Sequence, residues 1–329
     1  GLTLPEEFGG GGAGVTYQCI ATEELARVCP GLGTGITLGL GTALLCTVGT
    51  DEQRDRYLVP TLAGDASGAF AMTEPAAGSD VLAMQGRAVR TDRGWKITAN
   101  KMYITGAPFA DYLFVAVYTA PERRGKGVSI FIVDRDTPGL EITKMDKLGH
   151  HSMETGMVFL DCDVPPDALL GEEGAGMAYI GTTLESGRLT HAARSLGVAR
   201  AAYEAAAEYA NQRSTFGKLI GQHQGIQFKL ARMLMTVRSA ALNVMVTARA
   251  LEDGNHVPTE VSAAKVIAGE AAVHVASEAM QIFGGLSYIM ETPVQRYLRD
   301  AYLYPISEGT TEIQLRTIAR LQGYGTPRP

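Results

Sequence analysis

Cysteine and tryptophan are scarce: four and one in 329 residues. Cys19, Cys29, Cys46 and Cys162 form no Cys-x-x-Cys pair and face no histidine ladder. That scatter argues against a zinc site or a disulfide framework; no metal site is expected, and a reducing, cytoplasmic setting fits best. Basic residues are outnumbered, 29 Lys and Arg against 35 Asp and Glu, for a net charge of −6. There is therefore no electrostatic footprint for nucleic acid and no basic tract for an anionic membrane. No long uninterrupted apolar run is present; the nearest, residues 31–49, is too rich in Gly and Thr to span a bilayer. A strand–glycine loop–helix unit is also missing, so 39 glycines do not make a dinucleotide-binding Rossmann fold. No signal-peptide pattern opens the chain at Gly1.

What is present changes period twice along the chain. Residues 15–28 read as a helix with Glu23 and Glu24 outward and Ile20, Leu25 and Val28 inward. Residues 31–49 are small and apolar, as suits a helix packed closely on something. Asp51-Glu52-Gln53 opens a short helix that Leu62-Ala63-Gly64-Asp65 closes. From Phe70 to about Leu170 the period falls to two. Residues 87–91 and 95–98 about Asp92-Arg93-Gly94 read as a hairpin, with further strands at 112–118, 128–133 and 157–160. After Gly171 the chain is helical over 177–212, 223–252, 258–283, 293–303 and 311–321, with stops at Asp253-Gly254 and Gly284-Gly285. The fold class is thus α+β and multidomain: N-terminal helices (1–69), a middle antiparallel, barrel-like β domain (70–171) and a C-terminal four-helix bundle (172–329).

Two loops carry candidate chemistry. The first, Ala71-Met-Thr-Glu-Pro-Ala-Ala-Gly-Ser-Asp80, joins a stiffening Pro75 to a permissive Gly78 and clusters hydroxyl and amide donors at Thr73 and Ser79. Such a cluster suits an anion or a polar ring edge, and it equally suits an ordinary turn between domains. The second, Pro305-Ile-Ser-Glu-Gly-Thr-Thr-Glu-Ile-Gln314, places Glu308 in a break beside a glycine. An apolar pocket there would raise a carboxylate toward neutrality and make it a base; the plain alternative is an acid decorating a helix N-terminus.

AMTEPAAGSD, KMYITG (101–106), QRSTFGKLIGQHQ (212–224), QIFGG (281–285) and LRDAYLYPISEGTTEIQ (298–314) together resemble, in order and spacing, the acyl-CoA dehydrogenase family. The resemblance covers nearly the whole chain, short of the family's first helix or so. It implies FAD-dependent oxidation of the Cα–Cβ bond of an acyl thioester, with Glu308 as base and electrons passed to an electron-transfer flavoprotein. It further implies that the Glu308 amide and the flavin ribityl 2′-hydroxyl hold the thioester carbonyl as an oxyanion hole would. Some members carry the base at the position of Gly187, which has no carboxylate here.

By the same resemblance Met72, Thr73, Gly78 and Ser79 meet the flavin ring and pyrophosphate, and Tyr103, Ile104 and Thr105 lie against the ring. Tyr103 stands where the family often has Trp. Arg213, Ser214, Thr215 and Phe216 are implied to reach the FAD of a neighbouring subunit in a homotetramer, a dimer of dimers. His223, Gln224, Gln281, Ile282, Gly284 and Gly285 are implied at the adenosine end, with Thr310 and Glu312 closing over the cofactor. Ser79, Glu185, Arg188 and Arg320 are the expected contacts of the CoA arm. Residue by residue, plainer roles stay open: solvated helix charges for Arg188 and Arg213, capping or core for His223, packing for Met72 and Phe216, a helix stop for Gly284. Ser307 stands where straight-chain enzymes commonly have Tyr, leaving room for a branched or bulkier acyl group. The pair His150-His151 stands where relatives often carry Arg. Two other readings of the scaffold are an oxidase or biosynthetic dehydrogenase of carrier-protein thioesters, and a silent flavin-binding relative.

Overall fold

The computed structural model describes residues 1–36 and 39–325. In chain order the helices and strands are α1 (Val15–Val28), α2 (Pro30–Ile36), α3 (Leu40–Val48), α4 (Asp51–Gln53), α5 (Val59–Ala63), β1 (Gly68–Ala71), β2 (Arg87–Thr91), β3 (Gly94–Thr105), β4 (Tyr112–Tyr118), β5 (Val128–Asp134), β6 (Leu140–Met145), β7 (Thr155–Val164), β8 (Leu169–Leu170), α6 (Gly176–Ala210), β9 (Ser214–Thr215), β10 (Lys218–Leu219), α7 (Gln224–Glu252), α8 (Pro258–Phe283), α9 (Pro293–Ala301) and α10 (Thr311–Leu321). They form two compact units: Gly1–Ala13, Gly35–Lys147 and Met153–Leu184 make the first, and Gly14–Thr34, Leu148–Ser152 and Glu185–Pro329 the second.

The first unit is built on an eight-stranded sheet in the order β6-β7-β3-β2-β4-β5-β8, with β1 added on β4. The expectation of a purely antiparallel domain needs one correction. β1 pairs with β4 in parallel, and Arg87 of β2 meets Tyr118 of β4 in the same sense. The long return through β2 and β3 supplies the crossover that a parallel pair needs. Every residue of β4 is buried, so its period-two alternation feeds two cores. Leu113, Val115 and Val117 join Ile97, Val158 and Leu160 on one face. Tyr112, Phe114, Ala116 and Tyr118 join Leu44, Leu45 and Leu58 of the N-terminal helices on the other.

The Gly-rich stretch 31–49 is two helices rather than one, with Gly39 the extended N-cap of α3; Thr37 and Leu38 lie outside the described residues. Its close packing is borne out: a Cβ on Gly41 would lie 2.0 Å from Phe114 Cδ2. The next helical stretch begins at α4 with a full capping box between Thr50 and Gln53, continues through a π-helical segment (Arg54–Leu58) and ends after α5 at Gly64 with φ 86°.

In the second unit the long helices α6, α7 and α8 share one core rich in alanine, with Leu189, Leu196, Met233, Val244 and Val275 among its larger members. Helix α1 has the expected bounds but the opposite face inward. Cys19, Thr22 and Ala26 are buried, while Ile20 and Val28 are exposed. The cause is a backbone approach at Gly197 of α6, where a Cβ would lie 2.4 Å from the Glu23 carbonyl oxygen and 2.9 Å from Ala26 Cβ. Only small side chains fit such a seam. His150, which had no account from sequence, is buried at φ 53°. Its amide donates to Asp300 Oδ1 at 2.6 Å, and its ring meets Tyr304 edge-on.

Candidate functional site

In the first unit, the loop after β1 is fixed by a buried ion pair that sequence reasoning missed. Lys101 lies on the inward-facing register of β3, after Trp95, Ile97 and Ala99, and its side chain is 0% exposed. Its amine donates to Glu74 Oε1 at 2.7 Å, to the Ala116 carbonyl at 2.6 Å and to the Met72 carbonyl at 3.1 Å. Glu74 also accepts from the amides of Gln85 at 2.5 Å and Gly86 at 3.0 Å. Burial lowers the Lys101 pKa and the Glu74 carboxylate opposes that shift. A lysine at an apolar position of an alternating strand was the available signal.

Met102 completes the anchoring by donating its amide to the Thr73 carbonyl at 2.8 Å. Met72 and Thr73 are half-buried, Gly78 and Ser79 exposed, and a Cβ on Gly78 would meet nothing within 4 Å. The backbone at Gly78 is therefore approachable. β3 carries a register break between Lys101 and Ile104, and Tyr103 within it has φ 61°. The irregularity turns Tyr103 outward, 63% exposed. Thr105 is exposed too. Ile104 differs from its two neighbours: it is 2% exposed, its side chain part of the sheet core.

In the second unit, a short hairpin of β9 and β10 follows α6. Its tip holds Phe216 at φ 51° and 97% exposed, with Arg213 and Ser214 exposed beside it. Thr215 Oγ1 lies 3.5 Å from His223 Nε2, and His223 precedes Gln224 as the N-cap residue of α7. A cleft of about 520 Å³ is lined by Tyr209, Arg213, Thr215, Ile282, Gly284 and Gly285 among others. Tyr209 stacks on Phe283 with ring centroids 4.2 Å apart. Gln281 is exposed at the end of α8, and Gly284 and Gly285 have open space where a Cβ would stand.

Glu308 sits in the turn before α10 at φ 54°, followed by Gly309 at φ 83°. The expected apolar pocket around it is not what this unit supplies. Glu308 is exposed, and the charged groups that feel it are Arg188, Arg194 and Lys265. Burial brings the Lys265 amine down to about 8, with Glu308 acting in the opposite sense. Arg188 is half-buried with its Nε lacking a hydrogen-bond partner. Glu185 accepts from or pairs with His256 Nδ1 at 2.8 Å. Thr310 caps α10 through its hydroxyl, bonded by the Ile313 amide at 3.3 Å, while Glu312 is exposed in the first turn. Arg320 is exposed in the last turn of that helix. Among the described residues five that are not glycine have positive φ, and Tyr103, Phe216 and Glu308 are three of them. Backbone of this kind persists only where the surrounding structure holds it.

The chain matches family models for the acyl-CoA dehydrogenase N-terminal domain over residues 1–65, the middle domain over 69–162 and the C-terminal domain over 174–322. It is 39% identical over 324 residues to 2-methylacyl-CoA dehydrogenase of Solanum tuberosum, covering 97% of this chain and 79% of that one. The chain belongs to the acyl-CoA dehydrogenase family. Among solved structures, butyryl-CoA dehydrogenase from Megasphaera elsdenii superposes with a TM-score of 0.93 at 37% identity, over 98% of this chain and 86% of that one. A chain solved in work on the electron transferring flavoprotein of Acidaminococcus fermentans gives 0.94 at 35% identity, with coverages of 98% and 86%.

Acyl-CoA dehydrogenases are flavoproteins and oxidoreductases acting on a CH–CH group. The donor sets here fit FAD. The cleft joins a guanidinium and a hydroxyl to glycine backbone beside stacked rings, which suits a diphosphate and a flat base. The Met72–Ser79 loop offers hydroxyls and an approachable backbone. No described helix is long and apolar enough to cross a membrane, and no described cluster of His, Cys, Asp and Glu has the makings of a metal site.

Proposed function

We propose that this chain dehydrogenates a short acyl-CoA thioester between Cα and Cβ, with Glu308 taking the α-proton. The observation that carries the reading is the Glu308 turn: a carboxylate held in left-handed backbone by its neighbours, beside the cations Arg188 and Lys265. An α-C–H next to a thioester is a weak acid, so the base must be aimed and the developing enolate oxygen must meet a donor. The Glu308 amide is that donor in this reading. Bound FAD supplies the acceptor for the β-hydride, and electrons leave to an electron-transfer flavoprotein. Met72, Thr73, Ser79, Tyr103 and Thr105 hold the flavin end. Arg213, Thr215, His223, Gln281 and the Gly284–Gly285 backbone hold the dinucleotide end. Arg188, with an unpartnered Nε, and Arg320 hold the phosphates of the CoA arm.

The working unit in this proposal is a homotetramer of chains divided as 1–69, 70–171 and 172–329. Support comes from the apolar residues left at the surface of α7, where Phe228, Met235, Leu242 and Val246 are all more than half exposed, and from Phe216. A monomer rarely leaves such a row in water.

Anaerobic addition of acyl-CoA esters to the purified flavoprotein is the test. Straight C4 and 2-methyl-branched esters are expected to bleach the flavin, consistent with the small Ser307. No bleaching by any acyl-CoA, or bleaching only by carrier-protein thioesters, would overturn the substrate assignment. A second expectation concerns Arg213, exposed at the mouth of the cleft. Arg213→Ala is expected to weaken flavin retention on gel filtration by roughly ten- to a hundredfold, as loss of a charge-assisted bond to a diphosphate should. Full retention by the variant would remove that role.

A further inference from the structure

The turn that carries Glu308 is gripped from behind by hydrogen bonds to its backbone. A residue with a side chain persists at positive φ only where its surroundings over-determine it. Two grips are evident. Lys265 Nζ donates to the Gly309 carbonyl at 2.7 Å, and Gln314 Nε2 donates to the carbonyls of Glu308 at 3.1 Å and Gly309 at 3.2 Å. On the other side, Ser307 is tied to Leu303 twice, by its amide at 3.0 Å and its hydroxyl at 2.9 Å, both onto the same carbonyl oxygen.

Ser307 Oγ also lies 3.0 Å from His191 Nε2. The hydroxyl has one hydrogen, and a carbonyl can only accept. With that hydrogen on Leu303, the oxygen accepts and His191 Nε2–H donates. His191 is buried in α6 with its ring edge-on to Tyr304, centroids 5.1 Å apart, and its Nδ1 has no hydrogen-bond partner. Burial holds its pKa well below the ordinary imidazole value, helped by the charges of Arg194, Lys265 and His150 and opposed by the Tyr304 backbone. The ring is buried, and its Nε2 faces the Ser307 hydroxyl at hydrogen-bonding distance.

We propose that His191 is a positioning residue for the base: its bond to Ser307 Oγ fixes the peptide from which the Glu308 carboxylate is aimed. The inference rests on Glu308 being the base. The Leu303 carbonyl alone holds the Ser307 hydroxyl by one bond, within its own turn. A second, rigid partner leaves it one setting, and Ser307 is the residue from which the strained Glu308 backbone departs. Misaiming a base by about 1 Å costs on the order of a hundredfold in rate.

Four variants test this in the flavin-loaded enzyme: His191→Leu, His191→Gln, Ser307→Ala and the double His191→Leu/Ser307→Ala. The rate of anaerobic bleaching by acyl-CoA is expected to fall about ten- to a hundredfold in His191→Leu and in Ser307→Ala, with half-saturation little changed. The double variant is expected to be no slower than either single one, and His191→Gln, which keeps a donor, to recover most of the rate. Without substrate, hydrogen exchange at the Ser307 and Thr311 amides should quicken in His191→Leu and Ser307→Ala, while α8 keeps its protection. Additive losses, a His191→Gln as slow as His191→Leu, or unchanged loop exchange would each overturn the proposal. Should His191→Leu fail to fold, Ser307→Ala and His191→Gln carry the same comparison. Glu308→Gln run alongside separates the two claims. If it bleaches at the parent rate the base assignment fails, while loop exchange still reports on His191.

Discussion

Glu308→Gln keeps its flavin and its fold and loses turnover by roughly 10²–10⁴-fold, the range expected for removing a positioned general base. The amide has the shape of the carboxylate and cannot take a proton. Nothing in the turn depends on the carboxylate for its conformation: Lys265 and Gln314 bind backbone carbonyls of residues 308 and 309, not the side chain. Stability and cofactor content should therefore match the parent, and a melting temperature within a degree or two is part of the expected result. The charge change gives a second readout. Glu308 opposes the downward shift of the Lys265 amine, which stands at about 8. Removing that negative charge leaves desolvation and the neighbouring Arg188 opposed only by Glu312, so the amine titrates at lower pH in the variant. Parent-level turnover in Glu308→Gln would end the assignment, whatever the lysine does.

The contrast between Glu308 and Lys265 shows what could be read in the sequence. Glu308 was visible because a glycine, two threonines and a proline frame it in a break between helices, and because the surrounding block resembles its family. Lys265 lies among small and apolar residues, Ser262-Ala-Ala-Lys-Val-Ile-Ala268, where a buried cation is conspicuous only once burial is suspected. Its partner is a carbonyl 44 residues on, and no local pattern specifies such a partner. The helix bounds were legible for the opposite reason. Pro258, Gly254 and Gly284 stop or start helices through their own backbone chemistry. The inward face of α1 was not legible. Hydrophobicity favoured Ile20 and Val28, but the close approach at Gly197 sets Ala26 against α6 and so buries the face that also carries Cys19 and Thr22. β1 was missed as a strand in its own right because its parallel partner β4 lies beyond β2 and β3.

Lys101→Met is expected to destabilise the first unit by about 3–5 kcal/mol, the cost of leaving a buried charge without its partner. Lys101 and Glu74 have side chains 0% and 4% exposed, so neither ion can be rescued by water in place. The loss goes beyond one ion pair. The amine also satisfies the carbonyls of Met72 and Ala116, and a thioether can donate to neither. One of those carbonyls belongs to the loop proposed to hold the flavin, so stability and cofactor retention should fall together. A drop of about 10 °C in melting temperature is expected, with flavin released at lower temperature than in the parent. Adding Glu74→Gln should restore part of the loss, since it removes the unpaired carboxylate yet keeps an oxygen for the amides of Gln85 and Gly86. That partial restoration separates a charge effect from a packing effect: were the lysine only filling space, the second substitution would add to the damage. Independent, additive losses in the two variants would show that the pair is not the unit that holds this loop.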